Sequence, residues 1–133
     1  MRTDKQKLSR KEIAALVRDL LKKEIPHCKF SVTTKGFSGG GEITIALMEA
    51  PFEALTEKAS EYERRDQYVQ VNHYYIGNDE RLSLEARVVL QRALTALLHY
   101  HFDESDSQID YFFCNFYIDM SVGKWKKPFK IKV

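Results

Sequence analysis

The chain has 133 residues, of which 44% are hydrophobic and 30% are charged, and its formal net charge is +2. This length fits one domain, residues 1–133, whose hydrophobic fraction can form a core without metal or disulfide help. The charged N-terminal residues lack the apolar segment of a signal peptide, and no apolar run approaches the roughly 20 residues of a membrane helix. Cys28 and Cys114 lie far apart in the sequence. The sequence therefore predicts a cytoplasmic protein with reduced thiols and no membrane association.

The first predicted element is a helix within residues 9–26. Ser9 and Glu12 have the spacing of a capping box, in which each side chain satisfies a free backbone N–H at the helix start. Apolar residues then recur at helical spacing from Ile13 to Leu21, and Pro26 ends the pattern.

A β-hairpin is predicted next, because two alternating apolar runs, "HCKFSVTT" and "EITIAL", flank a glycine-rich stretch. A phosphate-binding loop is disfavoured, since no Lys-Ser/Thr follows the glycines and the next element is a strand instead of a helix. We interpret the glycines as residues that supply positive φ, with a backbone nest for a partner as the alternative. The candidate loop residues are Lys35, Gly36, Phe37, Gly39, Gly40 and Gly41.

The remaining pattern predicts two helices and three strands. The helices are expected over 51–67 and 84–102, and the strands over 68–76, 109–120 and within 123–133. The tyrosine-rich stretches "NHYYI" and "DYFFCNFY" are interpreted as half-buried strands, with an exposed interface as the alternative. The resulting order, α-β-β-α-β-α-β-β, predicts an α+β fold with helices packed on a mostly antiparallel sheet. Residues 77–133 would contribute the last helix and the C-terminal strands.

No residue pattern in the sequence is typical of catalysis or of a metal centre. The four histidines are scattered, and neither cysteine belongs to a C-x-x-C pair. Cys114 is expected on an apolar strand face, which is typical of a buried thiol and not of a nucleophile. We therefore expect no enzymatic activity, no cofactor and no metal.

Charge is distributed unevenly along the chain, and its basic ends provide the main functional candidate. Residues 1–35 contain ten basic and four acidic side chains, residues 36–119 six and fifteen, and residues 120–133 five lysines and no acid. Lysines neutralise phosphates and aromatic rings stack on unpaired bases, so "KWKKPFK" predicts a nucleic-acid contact, although lysines also keep sheet edges soluble. The candidate residues are Lys124, Trp125, Lys126, Lys127, Phe129 and Lys130, extended by Arg18, Lys22 and Lys23 if the fold brings both ends together.

The first half of the chain also resembles a known family, the large polyvalent protein-associated domain, number twenty-nine of its series. An amphipathic helix, a Pro-x-x-Lys-Phe-Ser-Val strand and a glycine-containing hairpin occur in the same order over residues 9–76. The residues that carry the resemblance are Pro26, Lys29, Phe30, Ser31, Val32, Gly39, Gly40 and Ile43. The resemblance implies an accessory module of a phage, plasmid or conjugative element, and it brings no catalytic or ligand residues.

Two functional hypotheses follow. The first is a non-enzymatic accessory protein of a mobile genetic element that acts by binding, with nucleic acid as the favoured partner. The alternative is a protein-interaction or inhibitor module directed at a host defence factor or another protein, suggested by the acidic middle and the tyrosine-rich stretches.

Overall fold

In the computed structural model, residues 8–38, 40–100 and 116–133 are described. These residues form three α-helices and five strands, and a short 3₁₀ turn, Ile76–Asn78, precedes the last helix. The order confirms the predicted α+β class, while the predicted strand residues 109–115 and Gly39 lie outside the described residues. The elements are α1 (Arg10–Glu24), β1 (Lys29–Phe37), β2 (Gly40–Ala50), α2 (Glu61–Asp66), β3 (Val69–Val71), α3 (Leu84–Leu98), β4 (Tyr117–Val122) and β5 (Lys130–Ile131).

The sheet is mixed, with strand order β1-β2-β4-β3 and β5 paired to β2. The pairs β1–β2 and β3–β4 are antiparallel, whereas β4 and β5 both run parallel to β2. The sheet is therefore mixed, with twelve antiparallel residue pairs against eight parallel ones. Both parallel strands lie along the same edge of β2, with β4 opposite residues 42–47 and β5 opposite residues 49–50.

One face of the sheet is covered by α1 and α3. Side chains of both helices, such as Val17 and Leu90, share one core with Val32, Ile43 and Ile45 of the hairpin. Because side chains alternate along a strand, the neighbours of these residues point to the other face. We call this other side the open face. It carries Ser31, Thr33, Lys35 and Phe37 of β1, Glu42, Thr44 and Met48 of β2, Gln70 of β3, and Tyr117 and Asp119 of β4.

Local capping signals set the helix starts. Ser9 and Glu12 form the predicted capping box, with reciprocal hydrogen bonds of 3.0 and 3.1 Å. Ser60 and Glu63 form a second one, at 2.8 and 3.1 Å, and it starts α2 at Glu61. The helix predicted from Pro51 is therefore wrong over residues 51–60.

The segment before α2 and the strand after it both differ from the prediction. Leu55 lies in the irregular segment before α2 and forms a β-bridge with Leu82, so the apolar residues before Ser60 are buried without helical structure. The strand predicted over residues 68–76 is regular only from Val69 to Val71, because the chain then turns into the 3₁₀ segment.

The β1–β2 hairpin is confirmed, but Gly36, Gly40 and Gly41 do not supply the predicted positive φ. Phe37 pairs with Gly40, so the candidate loop residues Lys35, Gly36, Phe37, Gly40 and Gly41 belong to the strands. Among the described glycines, positive φ occurs only at Gly123. A Cβ atom on Gly41 would overlap the guanidinium group of Arg10, which lies across this end of the hairpin. Gly41 therefore permits a close approach of α1.

Candidate nucleic-acid interface

The C-terminal lysines lie in a tight turn between β4 and β5. Lys124 and Lys127 exchange backbone hydrogen bonds of 2.8 and 2.9 Å, and Trp125 and Lys126 occupy the tip. We call residues 124–127 the lysine turn. Gly123 leads into it with φ 69°, and a Cβ atom there would overlap the backbone carbonyl oxygen of Gln67. A positive φ and this close contact both favour glycine, so the backbone fixes the path of the lysine turn.

The two aromatic residues of this segment have different environments. Trp125 is 73% exposed at the tip of the lysine turn, where its ring is free to stack on a ligand. Phe129 is buried in the core, and its backbone N–H donates to the carbonyl oxygen of Gln67 at 2.9 Å. The prediction that Phe129 contacts nucleic acid is therefore wrong: its side chain anchors the segment to the core.

The lysine turn folds across the open face towards β1. Lys124 Nζ donates a hydrogen bond of 2.6 Å to the hydroxyl oxygen of Ser31, which places the turn over the ends of the β1–β2 pair. A groove of about 460 Å³ results, and we call it the lysine groove. Its lining residues are Lys29, Ser31, Met48, Glu49, Lys124, Lys126, Lys127, Pro128 and Lys130.

The lysine groove is strongly basic. Five of its lining residues are lysines, and Glu49 is its one carboxylate. That carboxylate lies 3.8 Å from the ammonium group of Lys132, which is not a lining residue. Lys29 was not among the candidates from sequence. It could have been found from its position at the start of β1, because the hairpin register places Lys29 opposite Glu49.

The basic side chains of α1 do not join this groove. Arg18, Lys22 and Lys23 are absent from its lining, and the buried side of α1 packs on the opposite face of the sheet. The Arg18 guanidinium donates a hydrogen bond of 2.5 Å to the carbonyl oxygen of Val32 on β1. The two basic ends therefore flank β1 from opposite sides and do not form one surface.

A pair of exposed aromatic rings lies at the other end of the open face. Phe37 and Tyr117 stack with ring centroids 6.0 Å apart and an interplanar angle of 24°. Their side chains are 46% and 53% exposed. The sequence placed Phe37 in the hairpin loop, and it considered Tyr117 only as the last residue of "DYFFCNFY", interpreted as a half-buried strand with an exposed interface as the alternative.

Acidic side chains on the open face are confined to β2 and β4. Asp119 accepts a hydrogen bond of 3.0 Å from the Thr44 hydroxyl and another from the side-chain amide of Gln70. Glu42 stands opposite Lys35 in the β1–β2 register. β1 itself contains no acidic residue, so the edge of the open face that carries Lys35 is the basic one.

Other candidate features were also placed by the structure. Tyr74 and Tyr75 are exposed between β3 and α3, so the half-buried interpretation of "NHYYI" is wrong for both.

Burial raises the pKa of the Cys28 thiol to about 11, an effect that nearby Arg92 partly opposes. Within the described part of the chain, no three potential metal ligands cluster together, and no helix is long and apolar enough to cross a membrane.

Comparison with known families identifies the domain. A family model described as large polyvalent protein associated domain 29 matches residues 8–112. The chain belongs to this family. Domains of the large polyvalent protein associated domain 29 family are associated with the polyvalent proteins of phages and mobile elements. Searches of curated proteins and of solved structures gave no significant match.

The match to large polyvalent protein associated domain 29 extends beyond the resemblance seen in the sequence, since it continues past residue 76 through α3. It ends before β4, the lysine turn and β5. The lysine groove thus combines Lys29, Ser31, Met48 and Glu49 from the matched region with residues 124–130 from outside it.

Proposed function

We propose that this domain is a non-enzymatic, cytoplasmic accessory module of a mobile genetic element that binds nucleic acid through the lysine groove. The observation that carries the proposal is the arrangement of five lysines and one carboxylate around a groove of about 460 Å³. The family's association with polyvalent proteins of phages and mobile elements supports the setting.

Like charges this close together favour an anionic ligand. Five ammonium groups around one groove repel each other. A phosphate backbone that enters the groove is attracted by these groups, and its binding releases the counterions of the nucleic acid. Lys124 is already held by Ser31, so part of its side-chain entropy is lost before the ligand binds. Trp125, beside these lysines, supplies an aromatic face for a base.

Binding of fluorescein-labelled oligonucleotides, measured by fluorescence anisotropy, tests this proposal. We expect binding of nucleic acid at about 50 mM salt and a loss of affinity of at least tenfold at about 200 mM, because each phosphate contact releases counterions. A protein that binds neither single-stranded nor duplex oligonucleotides at the lower salt concentration would refute the proposal.

A protein partner is the second candidate, favoured by the exposure of Tyr74 and Tyr75. Tyrosines combine apolar area with a hydrogen-bonding hydroxyl and are enriched at protein interfaces. A partner that the wild-type domain retains from nuclease-treated host lysate, and that a Tyr74→Ala/Tyr75→Ala variant loses, would support this alternative. Equal retention by both proteins would count against these tyrosines.

A further inference from the structure

The open-face side chains of β1 connect the lysine groove to the aromatic pair. Ser31, Thr33, Lys35 and Phe37 alternate onto the same face, and the first of them accepts the hydrogen bond from Lys124. The last stacks on Tyr117. Six residues of extended strand cover roughly 20 Å at about 3.3 Å per residue. This row therefore links two potential ligand contacts that the fold places at opposite ends of one sheet face.

The charge pattern selects a path along β1. Its open-face row carries Lys35 and no acid, whereas β2 and β4 carry Glu42 and Asp119 on the same face. A phosphate backbone that leaves the lysine groove is repelled by these carboxylates and attracted by Lys35. The path with the least repulsion follows the β1 edge towards Phe37.

The aromatic side chains select unpaired bases. Trp125 at one end, and Phe37 with Tyr117 at the other, present exposed ring faces. In a duplex the base faces are already stacked on each other, so only single strands can place a base against such a ring. A basic groove and a further lysine between two sets of exposed aromatic rings form a combination typical of proteins that bind single strands.

We infer that the open face binds single-stranded nucleic acid, with phosphates in the lysine groove and along β1 and a base on the Phe37–Tyr117 pair. This inference rests on the proposed function, because it assigns a strand type and a path to the same groove. It adds a second contact region about 20 Å away, built from residues that are distant in sequence.

The test compares the wild type with a Phe37→Ala/Tyr117→Ala variant. Stacking on aromatic side chains adds enough affinity that we expect the dissociation constant for a thymidine oligonucleotide of about eight nucleotides to rise roughly fivefold or more. Duplex affinity should stay within about twofold, because the lysine groove is intact. A Tyr74→Ala/Tyr75→Ala variant, which also removes two exposed rings, is the matched control and should bind both ligands like the wild type.

Oligonucleotide length gives a second measurement that needs no substitution. About two nucleotides fill the groove without reaching Phe37, whereas about eight span the row at roughly 3.4 Å or more per nucleotide. Trp125 is the one tryptophan of the chain, so its fluorescence reports when the groove is occupied at either length. Wild-type affinity should rise with length much more than that of the Phe37→Ala/Tyr117→Ala variant.

The outcomes separate this inference from the proposed function. If both proteins bind single strands equally and show the same length dependence, the inference is overturned while binding by the lysine groove stands. If neither protein binds any oligonucleotide, the proposed function itself fails. A wild-type preference for duplex over single strands would also overturn the inference.

Discussion

Lys124 and Ser31 lie 93 positions apart in the chain, yet the lysine ammonium donates a 2.6 Å hydrogen bond to the serine hydroxyl. This contact joins the lysine turn to β1 and closes one side of the lysine groove. We expect Ser31→Ala to leave the fold intact and to weaken oligonucleotide binding by about two- to tenfold, because one hydrogen bond of about 1 kcal/mol no longer orients Lys124. Anisotropy titration measures the change; a Thr34→Ala variant, altered on the opposite face of β1, with the same loss would show that the Lys124 contact is not responsible.

Charge reversal in the lysine groove should abolish most binding. Replacement of Lys126, Lys127 and Lys130 by glutamate removes three cations from the groove and adds three anions. The slope of log affinity against log salt should decrease in magnitude by about 2 for single strands, because each lost phosphate contact contributes about 0.7. Anisotropy titrations at several salt concentrations give this slope.

The control for this experiment is a triple glutamate variant of α1, at Lys11, Lys22 and Lys23. It changes the net charge by the same amount, but its substitutions lie outside the groove lining. Affinity should fall much less than in the groove variant. Equal losses in the two variants would mean that overall charge, and not the groove, governs binding.

Gly123→Ala should destabilise the domain strongly. Its positive φ and the overlap of a new Cβ atom with the backbone carbonyl of Gln67 both oppose the substitution. We expect the free energy of unfolding to fall by about 1–3 kcal/mol in urea titration. At Gly40, where a Cβ atom would lie 3.5 Å from the Tyr117 ring, alanine should cost less than about 0.5 kcal/mol. Similar losses at both positions would contradict the assigned role of Gly123.

Acid should weaken the contacts that Arg81 makes around α2. Its guanidinium lies 2.6 Å from Asp79 and 2.9 Å from Glu63. Hydrogen bonding from Arg81 lowers the pKa of Asp79 below its ordinary 3.8. Burial acts to raise the pKa of Glu63, but the hydrogen bond from Ser60 and the charge of Arg81 outweigh it, so this pKa is lowered too.

A group whose pKa is lowered by folding stabilises the native state above its unfolded pKa, and this stabilisation is lost as pH falls through the folded pKa. The free energy of unfolding should therefore decline below about pH 4. Asp79→Asn should lower stability at pH 7 and reduce the decline between about pH 4 and pH 2. Urea titrations across this range measure both effects; an unchanged acid dependence in the variant would contradict the role of Asp79.

Cys28 should react slowly with alkylating reagents in the folded protein. With a pKa of about 11, its thiolate fraction at pH 8 is on the order of one in a thousand. In a Cys114→Ser background, iodoacetamide should modify Cys28 in the folded protein about 100-fold more slowly than in the urea-unfolded protein. Mass spectrometry follows both rates. Equal rates in the folded and unfolded states would show that burial does not protect this thiol.

Local signals in the sequence were sufficient to predict much of the scaffold. The Ser9–Glu12 capping box and the alternation on both sides of Gly40 depend on residues close in the chain, and both appear in the structure. The position of β4 between β2 and β3 depends on pairing between distant segments, which periodicity does not encode. The segment around Leu55 was misread because its apolar spacing fits a helix, whereas Leu55 forms a β-bridge with Leu82 and packs in the core without helical structure.

The candidate interface also combines features that local sequence predicts with features that depend on tertiary structure. The lysine turn was visible as a run of basic residues, but Lys29 joins it only through the hairpin register. Phe129 and Trp125 looked equivalent in sequence, and only the tertiary structure buries one ring and exposes the other. The Phe37–Tyr117 pair required a contact between residues 80 positions apart, which no short motif records.

The segment from Gly123 to Lys132, which contains the lysine turn, is hydrogen-bonded to β2 at both of its ends. Gly123 N–H donates to the Leu47 carbonyl oxygen at 2.9 Å, and Lys132 N–H donates to the Ala50 carbonyl oxygen at 2.8 Å. The eight residues between them therefore form an excursion that starts and ends on the same edge of β2. Replacing only residues 124–127 by a turn of different length or charge, with Gly123, Phe129 and β5 retained, should change what the domain binds without rebuilding its sheet, which makes the lysine turn a suitable position for engineering new ligand specificities.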